Sequence, residues 1–337
     1  MIPLNRFLPQ GEYIASLMQQ IRGARLTHAI LITGEAGVGK WSLAGAIAAA
    51  LLCEGEEKDR IPCGKCRACL QMETFSHPDV TVLEKGKPLT SKEAKTVIPV
   101  EDVQEAIHRV GLKGFESERR IIMIHHAEDM SEQAQNKLLK TLEEPPEDAF
   151  FLLTSLNEER LLPTIVSRCR LLKIHAWPDN EIRRMLEEHG YGEDKISLVI
   201  PEAEGSFGRA LQMAGDDSYW SFRAEVMKDF FSCTRRSDIL SVSTRWKDRK
   251  EEADQLFSVM EHFISRVSRS SLGLDGGVEN DPDCPEAWKR FAGTAETKDL
   301  VRLTEAVSLA RKRVRFFVPF QAVTEQLILT FMEAVIT

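Results

Sequence analysis

His28-Ala29-Ile30-Leu31-Ile32-Thr33-Gly34-Glu35-Ala36-Gly37-Val38-Gly39-Lys40-Trp41 decides the fold. Its first six residues read as a short apolar strand. The glycines after them fit G-x-x-x-x-G-K, a loop whose backbone N–H groups wrap a phosphate while the lysine reaches the outer phosphates. Trp41–Leu52, rich in Ala and Leu, opens a helix directly behind Lys40. A strand before and a helix after are the context this loop needs, so the spacing predicts a P-loop domain. Gly34, Gly37, Gly39 and Lys40 are its candidate nucleotide-binding residues. Magnesium needs an oxygen from the residue after the lysine, and the indole of Trp41 offers none. Ser42 follows one position later, turned on a helix by about 100° from that direction.

Outward from the loop, strands and helices alternate. Asp79–Leu83, Ile121–Ile124, Phe150–Thr154 and Leu171–Ile174 read as further strands. Val100–Val110 reads as a helix entered after Pro99. Ser131 caps another, with Ala134, Leu138, Leu139 and Leu142 as its apolar stripe and Pro145-Pro146 as its stop. Glu158–Val166 reads as a short helical stretch. Such alternation predicts a parallel sheet covered on both faces. Ile121–Ile124 should deliver two carboxylates to a nucleotide-bound metal, yet it runs into His125-His126. Imidazoles cannot replace two anions beside magnesium. Glu128 and Asp129 are acidic but displaced. A separate metal site made by His125, His126 and Glu128 is disfavoured, since neighbouring strand residues face opposite sides.

Four of the seven cysteines fall at Cys53, Cys63, Cys66 and Cys69, a C-x9-C-x2-C-x2-C cluster in a chain with no secretory signal at its start. Four thiolates close a tetrahedral Zn²⁺ shell and leave no place for water, so the expected role is structural. Gly64 suits the tight turn between ligands. The 337 residues, with 43% hydrophobic and 28% charged side chains, suit a soluble chain of two or three domains, and no apolar run is long enough for a membrane. A net charge of −8 argues against a large nucleic-acid footprint of the chain's own. The basic runs Arg245–Lys250 and Arg311–Arg315 read as solvated helix faces.

Beyond Trp177-Pro178 the pattern is wholly helical. Short helices are expected at Asn180–His189, near Ile196 and at Arg209–Ala214, followed by long amphipathic ones. Leu256, Met260, Phe263 and Val267 stripe one of these; Leu300, Leu303, Val307, Ala310 and Val314 stripe another. Val323, Leu327 and Phe331 line the last. Gly273–Pro285, rich in Gly, Asp and Pro, reads as an exposed loop.

His28-Ala29, the P-loop, the four-cysteine insertion behind its helix, Asn136-Lys137-Leu138-Leu139-Lys140-Thr141-Leu142-Glu143-Glu144-Pro145-Pro146 and Ser167-Arg168-Cys169 together resemble the clamp-loader branch of AAA+ proteins. The resemblance covers residues 10–215 and reaches the C-terminal helices only by size and class. It implies an α/β AAA+ P-loop domain (1–176) with a zinc knuckle (53–69), a small helical lid (177–215) and an all-α collar that joins subunits (216–337). It also implies that Thr154 is the polar γ-phosphate sensor and Arg168 an arginine finger acting on a neighbour's ATP. Gly208 stands in the place of the lid's sensing arginine, with Arg209 one residue late. Three departures in one direction imply a non-hydrolysing member, with binding of ATP or ADP left open and Zn²⁺ as structural cofactor. The implied partners are gamma/tau and delta subunits, with the sliding clamp and primed DNA reached through a cytoplasmic assembly. Two alternatives remain: an active gamma/tau-like ATPase with relaxed ligation through Ser42 and Glu128, and a standalone DNA-binding AAA+ protein.

Overall fold

The structure is a computed structural model. It describes residues 4–23, 25–55, 62–91, 93, 95–233, 235–274, 276–279, 281, 283–316 and 318–336. Two compact units emerge: residues 1–178 with 205–208, and residues 179–204 with 209–337.

In the first unit, β1 (Ala29–Thr33), β2 (Val80–Leu83), β3 (Arg120–Ile124), β4 (Ala149–Ser155) and β5 (Arg170–Lys173) form one sheet in the order β2-β3-β4-β1-β5. All four pairings are parallel. Every residue of β1 is buried, as an interior strand covered on both faces requires. The helices are α1 (Glu12–Arg22), α2 (Lys40–Leu52), α3 (Arg67–Glu73), α4 (Val100–Gly111), α5 (Glu132–Glu143) and α6 (Pro163–Val166). On one face, Leu31, Ile122, Ile124, Phe151 and Leu153 share a core with Val103 and Ala106 of α4 and Leu138 and Leu142 of α5. The small side chains of α2 are nearly all buried, which lets that helix approach β1 and β4 closely. Ser131 caps α5 as expected, its Oγ accepting from Ala134 N at 3.2 Å.

Two local expectations need correction. Glu158–Val166 is not one helical stretch but a 3₁₀ turn, Glu158–Arg160, followed by α6. Pro163 holds Leu162 extended and restarts the helix from its own first position. Asp79 lies just before β2, its carbonyl accepting from Ile121 N and its carboxylate from the backbone N–H groups of Phe115 (2.5 Å), Glu116 (2.8 Å) and Ser117 (2.8 Å).

The second unit is helical: α7 (Asp179–Glu188), α8 (Glu193–Ala203), α9 (Phe207–Gly215, from Arg209 on), α10 (Asp217–Phe231), α11 (Arg236–Trp246), α12 (Ala253–Ser271), α13 (Glu286–Ala292), α14 (Thr297–Arg315) and α15 (Phe320–Ile336). The expected stripes do face a common core, where Phe231, Phe263, Trp288 and Phe331 pack ring against ring. One arginine of each basic run is committed to neighbours. Arg249 lies over the Trp246 ring at 4.0 Å and pairs with Glu225 and Glu252, while Arg311 pairs with Asp254 and Glu261.

Gly273–Pro285 is not simply an exposed loop. Val278 and Asp281 are fully buried, and Cys284 nearly so. Asp281 meets Arg223 and Arg266 inside the unit, and those arginines also hold the buried Glu202. A loop rich in Gly and Asp reads as solvent-exposed, but here two buried guanidiniums draw its carboxylate inward, since a buried charge is tolerated only when paired.

Candidate functional site

Gly34 opens the P-loop at a point where a Cβ would lie 2.4 Å from the Ile174 carbonyl oxygen, so no other residue fits. The loop ends at Gly39 in the left-handed region, and α2 starts at Lys40. Lys40 is buried and turned back on its loop, Nζ donating to Gly34 O at 2.8 Å and Glu35 O at 2.6 Å. Burial lowers its pKa, and the charges of Glu128 and Glu35 act the other way.

The outward carbonyls of the loop are tied in sequence. Ala36 O accepts from Ser206 Oγ at 3.1 Å, Gly37 O from Gly208 N at 2.8 Å, and Val38 O from Trp177 Nε1 at 2.8 Å. Gly208 approaches so closely that a Cβ would sit 3.0 Å from both Cα and O of Gly37. A glycine at position 208 thus has a steric reason. Sequence reasoning missed the roles of Ser206 and Trp177, the latter read only as the boundary of the helical region.

Trp41, which follows Lys40, and His125, which follows β3, pack against each other. The Trp41 ring lies 4.6 Å from that of His125 and 5.1 Å from that of Phe75, and His125 and His126 are 4.3 Å apart. The opposite-face argument for the two histidines does not hold. β3 ends at Ile124, and His126 adopts a left-handed conformation that brings its ring beside that of His125. Burial lowers the His125 pKa and nearby His126 lowers it further, against the pull of Glu84, whose Oε1 lies 3.5 Å from Nδ1.

Glu128 sits in the 3₁₀ turn Ala127–Asp129. Its Oε1 accepts from Leu156 N at 3.0 Å, and its buried Oε2 has no hydrogen-bond partner. Burial would raise this carboxyl, but the hydrogen bonds it accepts prevail and its pKa is lowered. Thr154, at the end of β4, is buried; its hydroxyl accepts from His126 N at 3.1 Å.

The four cysteine sulfurs lie within 4.8 Å of one another, Cys63 and Cys69 at 3.9 Å. Bonds of about 2.3 Å to one tetrahedral zinc separate sulfurs by roughly 3.8 Å, so the set fits. It is the only such cluster of metal-binding side chains among the described residues. The backbone N–H groups of Lys65 and Cys66 point at the Cys63 sulfur (3.4 and 3.3 Å) and lower its pKa to about 6. Residues 56–61, between Cys53 and Cys63, lie outside the described residues.

Arg168 follows α6 with its side chain 35% exposed. Nη1 donates to Thr164 O at 3.1 Å and lies 3.3 Å from Ser167 Oγ, while Nη2 pairs with Glu143 Oε1 at 2.5 Å. Cys169 packs against the core, and burial pushes its thiol up to about 12. Within the S-R-C motif, then, Ser167 braces the arginine and Cys169 anchors its turn.

A five-stranded parallel sheet in this order, with a P-loop after the interior strand β1 and a helical second unit, is a P-loop domain of the AAA+ class. Residues 9–178 match the family described as DNA polymerase III, delta subunit. The chain is 28% identical over 331 residues to DNA polymerase III subunit delta' of Bacillus subtilis, covering 96% of each. It is 30% identical to the delta' subunit of Yersinia pestis, covering 93% of this chain and 90% of that one. The tau subunit of Escherichia coli matches at 31% over 210 residues, 60% of this chain and 31% of its own length. The chain belongs to the delta-prime subunit family of DNA polymerase III. It is a clamp-loader subunit of the delta-prime type, and its match to tau is confined to part of the chain.

Proposed function

We propose that this chain is a non-hydrolysing member of its clamp-loader assembly and acts on ATP only in trans, through Arg168. The observation carrying this reading is the Trp41–His125 stack, which puts two aromatic rings where two metal-holding oxygens belong. Gly34, Gly37, Gly39, Lys40 and Thr154 would form a degenerate site in which ATP or ADP lacks a magnesium ligand set. Cys53, Cys63, Cys66 and Cys69 would hold one structural Zn²⁺, a closed shell that fixes the insertion and does no chemistry. The natural partners are gamma/tau and delta subunits in a cytoplasmic complex, with the sliding clamp and primed DNA engaged by the assembly. Residues 177–215 would act as lid and residues 216–337 as the collar joining subunits.

The guanidinium of Arg168 stabilises charge developing on a neighbour's γ-phosphate. Removing such an arginine slows transfer by on the order of 10³-fold at the site it serves. Arg168→Ala in the reconstituted assembly should therefore slow ATP hydrolysis at that one interface while this chain stays folded. Unchanged single-turnover hydrolysis at every site would refute the role in trans.

One observation favours a second reading. The unpaired Oε2 of Glu128, whose charge acts on Lys40, could ligate a cation and support hydrolysis by this chain itself. In that case Glu128→Gln would abolish a measurable turnover of the isolated chain; the first reading expects none to abolish.

A further inference from the structure

We propose that Glu143 is the positioning residue for Arg168, holding its guanidinium ready for the phosphate of a neighbouring subunit. The inference rests on the reading of Arg168 as the arginine acting in trans. It gives a role to the Leu-Glu-Glu-Pro-Pro string that the P-loop chemistry leaves unused.

Glu143 is the last residue of α5. A carboxylate there faces the negative end of the helix and gains nothing from the backbone. Its side chain is 45% exposed, so it does not serve the core. What it does have is Arg168, with Nη2 at 2.5 Å from its Oε1. The two backbones that carry this pair are both anchored. Leu138 and Leu142 bury α5 in the core up to the residue before Glu143, and Pro145-Pro146 ends the helix just beyond it. On the other side, the fully buried Ile165 and the core-packed Cys169 flank the turn that bears Arg168. Only the two side chains remain to be set, and each sets the other.

The remaining restraints on the guanidinium, Thr164 O and Ser167 Oγ, both act on Nη1. Glu143 alone holds Nη2. With both terminal nitrogens engaged the fork has one orientation, and with one engaged it can swing about that contact. A guanidinium carries five N–H donors, so these contacts leave donors free for a phosphate. Because the pair is exposed, water screens it, and its consequence is geometric far more than energetic. Orienting a group before reaction is worth rate, since the transition state then need not order it.

The test uses the reconstituted ATPase assembly with four versions of this chain: wild type, Glu143→Gln, Arg168→Ala and the double variant. Glu143→Gln keeps size and shape, and thermal unfolding of the free chain checks that the fold is intact; Glu143→Ala repeats the measurement. At the interface served by Arg168, Glu143→Gln should lower kcat by about three- to ten-fold with KM little changed. In the Arg168→Ala background it should have no further effect. A rate at or above wild type for Glu143→Gln overturns the proposal, as does an equal slowing in both backgrounds, which marks a structural role. If Arg168→Ala itself leaves the rate intact, the reading in trans fails and takes the positioning role with it. A normal loss for Arg168→Ala beside a silent Glu143→Gln defeats the positioning role alone.

Discussion

Gly208 is a single missing side chain with two consequences. Its N–H holds Gly37 O, and its bare Cα lets the segment lie against the P-loop backbone. Placing an arginine there should therefore disturb the loop and confer no activity. Gly208→Ala forces a Cβ to 3.0 Å from the Gly37 backbone. Overpacking of this kind costs about 1–3 kcal/mol, which denaturant unfolding would read as a lowered midpoint. A midpoint unchanged in Gly208→Ala would mean that the close approach is not maintained in solution. The same scale explains why Trp41 and His125 occur together. Either alone leaves an aromatic ring beside a polar position, whereas stacked they gain about 0.5–1.5 kcal/mol beyond burial.

Elements show which parts of the molecule the sequence states openly. The P-loop, the five strands and Ser131 with its helix were legible because period, glycine and cap signals act within a few residues. The four-cysteine cluster was legible for the same reason, as three of its cysteines sit in seven consecutive residues. We expect one Zn²⁺ per chain, lost in Cys66→Ser or with a strong chelator, and with it the protection of α3 amides from hydrogen exchange. Retention of stoichiometric zinc by Cys66→Ser would show that the four thiols are not the ligand set. Contacts between distant segments were not legible. Ser206 and Trp177 reach the loop across about 170 and 139 positions of chain. The turn after β3 hid its geometry too, since nothing in His125-His126 announces a left-handed residue. Glu143 was visible as part of a motif, but its partner Arg168 is known only once α5 and α6 are adjacent.

For the molecule as a whole, the helical unit depends on a charge cluster that no local pattern announced. Burial would raise the Glu202 carboxyl, but His262, Arg223 and Arg266 prevail and hold it at about 2 against an ordinary 4.5. A carboxylate depressed on folding contributes stability that is present above its unfolded value and lost as pH falls toward the folded one. Roughly 3 kcal/mol should thus disappear between about pH 4.5 and pH 2, and Glu202→Gln should flatten that part of the stability profile. An acid profile identical in wild type and Glu202→Gln would contradict the assignment. The larger claim concerns where the chemistry lies: a P-loop domain whose metal-handling positions are filled by rings leaves hydrolysis to its neighbours. Its sharpest check is single-turnover hydrolysis of ATP by the purified, zinc-loaded chain, at saturating protein and Mg²⁺. Cleavage should be no faster than in buffer. Turnover of about 10⁻⁴ per second or faster, the range of a P-loop enzyme without its arginine, would contradict the claim.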